Sequence, residues 1–194
     1  MTANIDSTWA QRYFENLHRS ISTPDITEKL FEVRRIWVSA IEDGRKIIFA
    51  GNGGSAAIAS HCSVDLTRAA GMRAVNFNEA DLITCFANDY GYAEWLAKAV
   101  ESYGDPGDAL VLISSSGRSP NILRAADIGK ALRLTVITLS GFDADNPLRS
   151  AGQTNLWVDS HSYNVVEMTH HVWLLAVIDM QIALTRQAEP SGPE

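Results

Sequence analysis

The chain has 194 residues, of which 46% are hydrophobic and 20% charged, and it carries a formal net charge of −7 at pH 7. This length and composition are typical of one globular domain with a substantial core. The negative charge argues against nucleic acid and anionic membrane surfaces as partners, since these attract basic proteins. The longest apolar stretches are of strand length or interrupted by polar residues, so we expect no membrane span. Small molecules and other protein chains remain the expected partners.

Two amphipathic helices are predicted first, on either side of a break at residues 22–25. Apolar residues recur there at helical spacing, namely Trp9, Tyr13, Phe14 and Leu17, and then Leu30, Val33, Ile36, Trp37 and Ile41. From residue 46 strands and helices alternate, with strands expected at 47–50, 73–77, 109–113, 134–139 and 155–158, and a last helix at 164–186. Such alternation implies a parallel sheet covered on both faces. We therefore divide the chain into amino-terminal helices at 1–44, packed on the same domain and on a subunit interface, an α/β domain at 45–186, and a frayed tail at 187–194.

The cysteines and the first residues bear on the cellular compartment. Cys62 and Cys85 lie in apolar contexts without metal or redox spacing, and the stretch MTANIDSTWA lacks the charged and apolar parts of an export signal. These observations predict a reduced, cytoplasmic protein.

A glycine-rich turn follows the first predicted strand. KIIFA runs directly into Gly51-Asn52-Gly53-Gly54-Ser55, and a helix begins there. Glycines let the backbone turn tightly and approach a ligand, while the free N–H groups and the positive dipole of a first helical turn attract an anion. The turn therefore predicts a phosphate site.

A second turn of the same kind follows the strand ALVLI. It reads Ser114-Ser115-Ser116-Gly117-Arg118-Ser119 and precedes another helix. One serine is enough to cap a helix, so four hydroxyl groups exceed that need and fit a set of donors to phosphate oxygens. Ligands of open α/β sheets bind outside the carboxyl ends of the strands, where both turns lie, so we expect the two turns to form one pocket.

With these two motifs the chain resembles the SIS (sugar isomerase) domain family, most closely its phosphoheptose isomerase branch. GNGGS, SSSGRS and a third segment, Asn88-Asp89-Tyr90-Gly91, match that branch in order, and the resemblance covers roughly residues 26–184. It implies a three-layer α/β/α sandwich of the flavodoxin-like kind with a five-stranded parallel sheet, and a cytoplasmic homotetramer with sites at subunit boundaries. It also implies that a phosphorylated ketose or aldose is held by Asn52, Gly53, Gly54, Ser55, Asn88, Asp89, Ser114, Ser115, Ser116 and Ser119.

The resemblance also places the catalytic base. The family's glutamate base falls at Asp65, and His61, four residues earlier, shares its helix face. Isomerisation through an enediol needs such a base to move a proton between adjacent carbons. Aspartate is one methylene shorter than glutamate, and the resulting shift of about 1 Å in the carboxylate costs on the order of a hundredfold in rate when nothing compensates.

The last helix departs from the family. Aligned without gaps, the family's glutamine and histidine fall at Val166 and Leu174, which neither bind metal nor transfer protons. His170 lies one turn from each and is expected to replace the missing histidine as the acid, although the sequence leaves open whether His170 or its neighbour His171 is functional. His61 and Asp65, together with His170, would form a mixed N/O metal site, but with two family ligands replaced we expect no required cofactor and only doubtful zinc binding.

Three functions remain open at this stage. The first is aldose–ketose isomerisation of sedoheptulose 7-phosphate or a close relative. The second is isomerisation of another phosphosugar in a surface-glycan or secondary-metabolite pathway, and the third is a non-catalytic tetrameric binding module, such as the family member that associates with the bacterial replication initiator. Replacement at Val166 and Leu174 favours the third, whereas the retained serine loop, His61, Asn88 and Asp89 favour a sugar site.

Overall fold

The computed structural model describes residues 8–188, and the expectations for residues 1–7 and for 189–194 of the tail lie outside this range. Seven α-helices and five strands are present between residues 8 and 188. The strands are β1 (Ile47–Gly51), β2 (Ala74–Asn76), β3 (Ala109–Ser114), β4 (Thr135–Ser140) and β5 (Thr154–Trp157). The helices are α1 (Thr8–Ile21), α2 (Ile26–Glu42), α3 (Gly54–Arg68), α4 (Ala80–Tyr90), α5 (Trp95–Tyr103), α6 (Pro120–Ala131) and α7 (Tyr163–Ala188), with a short 3-10 helix at Pro147–Ser150.

The five strands form one parallel sheet in the order β2-β1-β3-β4-β5. The strand order reverses beside β1, because the chain first moves outward to β2 and then returns to β3 on the other side. Helices cover both faces, which confirms the predicted three-layer α/β fold. The carboxyl ends of β1 and β3 are neighbours at the reversal, and this is the position where open α/β sheets bind ligands.

Alternate strand residues supply two separate cores, one on each face of the sheet. Ile47, Phe49 and Val111 point to the face covered by α2, α3 and α7, whereas Ile48 and Leu110 point to the face covered by α5 and α6. Both sets are fully buried, as expected for strands of a parallel sheet.

The first two helices differ in burial. Val33 and Trp37 of α2 are fully buried in the first core, so α2 is part of the α/β domain. Helix α1 has no buried residue, and its Trp9 and Phe14 are 51% and 64% exposed. At the other end, α7 continues to residue 188, two residues beyond the predicted boundary of the tail. No helix in the described part of the chain combines the length and apolar character that spanning a membrane requires.

Candidate functional site

A cavity of about 290 Å³ opens where β1 and β3 end. The two predicted turns converge there, as the sequence indicated. Its lining consists of Asn52, Gly53, Gly54, Ser55, Ile113, Ser114, Ser115, Ser116, Ser119, Tyr163 and Glu167. Among these described lining residues none is lysine, arginine or histidine, so an anion bound here would meet hydroxyl groups and backbone N–H groups.

The first turn places the amino terminus of α3 against the cavity. Gly53 is the residue before the helix and has φ +56°, a conformation that favours glycine. Gly51 has no room for a side chain, since a Cβ there would lie 2.6 Å from the Cβ of Ser55. These glycines therefore let the backbone pass close to the cavity and aim the first turn of α3 at it.

The second turn contributes the hydroxyl groups. The Oγ atoms of Ser114 and Ser119 lie 3.2 Å apart, and the Oγ of Ser116 accepts a hydrogen bond from the Arg118 N–H at 3.3 Å. Ser115 is buried, and its Oγ has no hydrogen-bond partner among residues 8–188. Buried hydroxyl groups are normally paired, so Ser115 is an exception, and its Oγ is not exposed to the open space of the cavity.

The Arg118 side chain does not take part in the cavity. Its guanidinium group turns outward and donates to Asp143 at 3.4 Å and Asp145 at 3.3 Å. The arginine inside the serine motif is thus paired with two carboxylates and does not line the cavity.

Asn52 is held by two side chains from other parts of the chain. Its Nδ2 donates to the Oδ1 of Asn121 at 3.0 Å, and the Nδ2 of Asn121 donates back to the Oδ1 of Asn52 at 2.9 Å. The hydroxyl of Tyr92 donates to the same Oδ1 of Asn52 at 3.2 Å. The sequence motifs predicted a role for Asn52 but not for Asn121 or Tyr92, because these contacts join residues 69 and 40 positions apart.

Glu167 was also not assigned from the sequence. Its carboxylate lies directly against Gly54, so that a Cβ at position 54 would collide with it. Burial raises the pKa of this carboxyl group above its usual range. Glu167 is the one acidic side chain in the described lining, and the only sequence signal for it was its position beside Val166 in the divergent last helix.

A second polar cluster joins α3 to α7. The Nε2 of His61 lies 3.2 Å from the Oδ2 of Asp65, and the Nδ1 of His61 lies 2.8 Å from the Nε2 of His171. His61 and Asp65 are partly exposed. Desolvation and, after it, the neighbouring His61 lower the pKa of His171, so this imidazole stays neutral at neutral pH.

The expectation that His170 is the functional histidine is not supported by its position. His170 is fully buried and donates from Nε2 to the carbonyl oxygen of Ser140 at 3.1 Å. Burial lowers its pKa to about 4, so it is a neutral core residue at physiological pH. It is His171 that faces His61 and Asp65, because successive helix residues are turned by about 100° from each other.

The predicted metal site does not assemble. Val166 and Leu174, at the two family ligand positions, are buried in the core next to the sheet, and His170 points away from His61. The two nitrogens of His61 face different partners, so the donor atoms of Asp65 and His171 lie on opposite edges of its ring. Within residues 8–188 no group of three or more His, Cys, Asp and Glu side chains is arranged to hold a metal ion, and the donors present do not fit a zinc site.

Asn88 and Asp89 lie apart from the cavity. Both are exposed near the carboxyl end of α4, where the Nδ2 of Asn88 donates to the Oδ1 of Asp89 at 3.0 Å. The described cavity lining does not include them.

Comparisons with known proteins agree with the motifs. The family described as SIS domain matches residues 12–141. The phosphoheptose isomerase of Shewanella denitrificans is 32% identical over 185 residues, which is 91% of each chain. The phosphoheptose isomerase of Helicobacter pylori strain 26695 is 36% identical over 135 residues, which is 66% of this chain and 69% of that relative. Among solved structures, the phosphoheptose isomerase of Francisella tularensis is similar with a TM-score of 0.83 at 26% identity, covering 93% of this chain and all of that one. The phosphoheptose isomerase of Neisseria gonorrhoeae is similar with a TM-score of 0.80 at 26% identity, covering 89% and 97%.

Proposed function

The chain belongs to the SIS domain family, and we propose that this phosphosugar isomerase interconverts the ketose and aldose forms of a sugar phosphate, with sedoheptulose 7-phosphate as the first candidate. The observation that carries the proposal is the cavity in which the glycine turn and the serine turn meet. Phosphoheptose isomerases are the relatives to which the chain is similar over nine-tenths of its length.

The phosphate group is assigned to the cavity at the amino terminus of α3. The helix dipole and the backbone N–H groups favour a dianion there. The hydroxyl group of Ser116 is available to donate to its oxygens, and so is one of the two hydroxyl groups of Ser114 and Ser119, since the other donates within that pair. A volume of about 290 Å³ is roughly ten times the ~30 Å³ that a water molecule occupies in the liquid, so the cavity accommodates phosphate and the nearest carbons of a sugar.

We assign proton transfer to the cluster of Asp65, His61 and His171. Asp65 accepts the Nε2–H of His61, which leaves the Nδ1 of His61 to accept the Nε2–H of His171. In this arrangement the Nδ1 of His171 carries a lone pair, and its lowered pKa keeps that lone pair available at neutral pH. The cluster thus provides an unprotonated imidazole as the base at neutral pH, a role that the sequence had given to Asp65 alone.

The length of a heptose phosphate fits the spacing between cavity and cluster. His61 follows Gly54 by seven residues, which is about 10 Å along α3 at 1.5 Å per residue. An extended seven-carbon sugar phosphate spans about 10 Å from phosphorus to the carbonyl end, at roughly 1.3 Å per bond. A substrate anchored by its phosphate therefore extends to the two histidines, while Asp65, one turn further, acts on it through His61.

The reaction is a proton transfer between adjacent carbons. The base removes the proton from the hydroxyl-bearing carbon next to the carbonyl group, the electrons of that C–H bond form the double bond of an enediol, and the carbonyl oxygen is protonated. Return of the proton to the other carbon, with loss of the proton from the other oxygen, completes the isomerisation. No redox partner is needed, because the substrate is oxidised at one carbon and reduced at its neighbour.

A homotetramer with sites at subunit boundaries remains part of the proposal. Two observations support it, namely the large exposed aromatic side chains on α1 and the position of Asn88 and Asp89 outside the cavity of a single chain. Sedimentation at micromolar concentration tests it, and a stable monomer would contradict the shared-site arrangement.

Exchange of substrate hydrogen in heavy water tests the proposed reaction. We expect deuterium to enter sedoheptulose 7-phosphate at C1, the carbon that becomes the aldehyde of the aldose, and to be absent from free sedoheptulose, with the variant Asp65→Asn as the inactive control. A panel of pentose, hexose and heptose phosphates identifies the substrate if another sugar exchanges faster. Tight binding of a sugar phosphate with no exchange for any member of the panel would replace the enzyme assignment with a binding module.

A further inference from the structure

The paired amides of Asn52 and Asn121 limit what Asn52 offers to a ligand. Asn52 lines the cavity, whereas Asn121 is 1% exposed in the first turn of α6, two residues after Ser119. Their two reciprocal hydrogen bonds of 3.0 and 2.9 Å use the oxygen and one N–H of each amide. The ligand therefore meets an Asn52 side chain that is already fixed in orientation.

Tyr92 completes the pairing of the Asn52 oxygen. An amide oxygen has two lone pairs and an amide nitrogen has two hydrogens. Asn121 and Tyr92 occupy both lone pairs of the Oδ1 of Asn52, but only one hydrogen of its Nδ2 is used. The remaining group on the Asn52 side chain is a single N–H donor. It can donate to an oxygen atom of a phosphate or of a sugar hydroxyl, and the side chain has no free acceptor for a ligand donor.

Without these partners the Asn52 amide has no fixed direction. A free asparagine rotates about its last torsion and presents its oxygen or its nitrogen to the cavity with similar ease. An amide oxygen turned toward a phosphate dianion is repulsive, so fixing the nitrogen on that side lowers the cost of binding. The pair also joins the glycine turn after β1 to the start of α6, where Ser119 lies.

We propose that Asn121 is a positioning residue of the sugar-phosphate site, which holds Asn52 as a donor toward the ligand, with Tyr92 in support. The proposal rests on the proposed function, because it takes the ligand of the cavity to be a sugar phosphate. Asn121 itself is buried behind Asn52 and does not line the cavity.

A double-mutant cycle tests whether Asn121 acts through Asn52. The variants are Asn52→Ala, Asn121→Ala and the double variant, and the readouts are KM and kcat for the isomerised sugar phosphate. We expect each single variant to raise KM about tenfold, the effect of losing one hydrogen bond to a charged group, and to change kcat much less, since the lost contact is made equally in ground state and transition state. The double variant should be no worse than Asn52→Ala alone, because Asn121 has no effect once Asn52 is gone.

Two controls separate positioning from general loss of stability. Ile122→Val shortens the buried neighbour of Asn121 on α6 and is expected to lower stability without changing KM. Tyr92→Phe removes only the second donor to Asn52 and should raise KM by a smaller factor than Asn121→Ala. If the effects of Asn52→Ala and Asn121→Ala multiply in the double variant, or if Ile122→Val raises KM equally, the proposal is wrong.

The same cycle measured by calorimetry keeps the test independent of turnover. Inorganic phosphate and the sugar phosphates of the exchange panel are titrated into the four proteins. Coupled losses of affinity in a protein that isomerises nothing would support the Asn121 assignment while refuting the isomerase. If a sugar phosphate of the panel is isomerised but the losses of affinity multiply in the double variant, the isomerase is supported and the Asn121 assignment is refuted.

Discussion

The adjacent histidines His170 and His171 are expected to respond oppositely to the same substitution. His170 is neutral and buried in the folded protein, with its pKa lowered from 6.5 to about 4 because burial disfavours the charged form. In the unfolded chain its pKa returns to near 6.5, so between these values the unfolded state binds more protons. The stability that a neutral His170 contributes is therefore fully present above pH 6.5 and is lost as the pH falls toward 4.

The magnitude follows from this difference in pKa. Linkage gives a loss of about 2 kcal/mol at pH 5 and about 3 kcal/mol at pH 4 relative to neutral pH. His170→Gln keeps a donor for the carbonyl oxygen of Ser140 but does not titrate, so its free energy of unfolding should depend on pH less steeply by this amount. His171→Gln, the matched control on the neighbouring position, should retain the steep dependence.

Urea denaturation between pH 4.5 and 7.5, together with kcat at pH 7, distinguishes the two residues. We expect His170→Gln to lose the pH dependence and keep kcat within a few-fold, and His171→Gln to lower kcat by about a hundredfold or more, the usual contribution of a general base. An unchanged pH dependence in His170→Gln would refute the neutral, buried state of that residue. Loss of kcat in His170→Gln but not in His171→Gln would restore the assignment made from the sequence.

Three further outcomes are expected from the site geometry. Asp65→Asn should lower kcat by about a hundredfold or more while leaving sugar-phosphate affinity nearly unchanged in calorimetry, since it removes the negative charge beside His61 and keeps the shape of the side chain. Activity equal to that of the native protein would remove Asp65 from the mechanism. Ser119→Ala and Gly53→Val should each abolish the preference for phosphorylated over free sugar. The glycine variant does so because valine does not adopt φ +56° without strain. Equal affinity of the native protein for both sugars would remove the phosphate assignment. Glu167→Gln should tighten binding of inorganic phosphate at pH 7, because it removes a negative charge from the cavity lining. This advantage over the native protein should shrink as the pH falls, because the raised pKa of Glu167 lets that carboxyl group neutralise on acidification. Weaker binding of inorganic phosphate by the variant would refute repulsion between Glu167 and the anion.

Local patterns in the sequence were enough for the strands, the two ligand turns and the family. Each strand is a short apolar run that ends in turn residues, and each turn carries its glycines or serines within six consecutive positions. Such features depend on neighbours in the chain, which is why the predicted strand boundaries agree with the structure to within one residue. Convergence of the two turns also follows from the sequence, once parallel strands place both carboxyl ends at one edge of the sheet.

The sequence did not settle which faces of α7 are buried. Apolar residues surround this helix, with Val166 and Trp173 buried but Met168 and Val172 about two-fifths exposed, so periodicity does not identify the inner face. Packing against the sheet and α3 decides it.

That packing sets the roles of the neighbouring residues on α7. It buries His170, brings His171 to His61 and turns Glu167 into the cavity. A rotation of about 100° between consecutive residues is enough to exchange a core side chain for a site residue, and the contacts that fix the rotation come from residues about 110 positions away.

Hydrogen bonds between side chains far apart in the chain were also not predictable from the sequence. Asn52 and Asn121 each appear in a turn or at a helix start, where asparagine is common for local reasons. Only the adjacency of β1 and β3 in the sheet brings their amides together, and only the position of the turn before α5 adds Tyr92. The sequence therefore determined which groups the two turns bring to the cavity, and the tertiary structure decided which polar side chains support them, because hydrogen bonds between distant residues depend on the relative placement of whole elements.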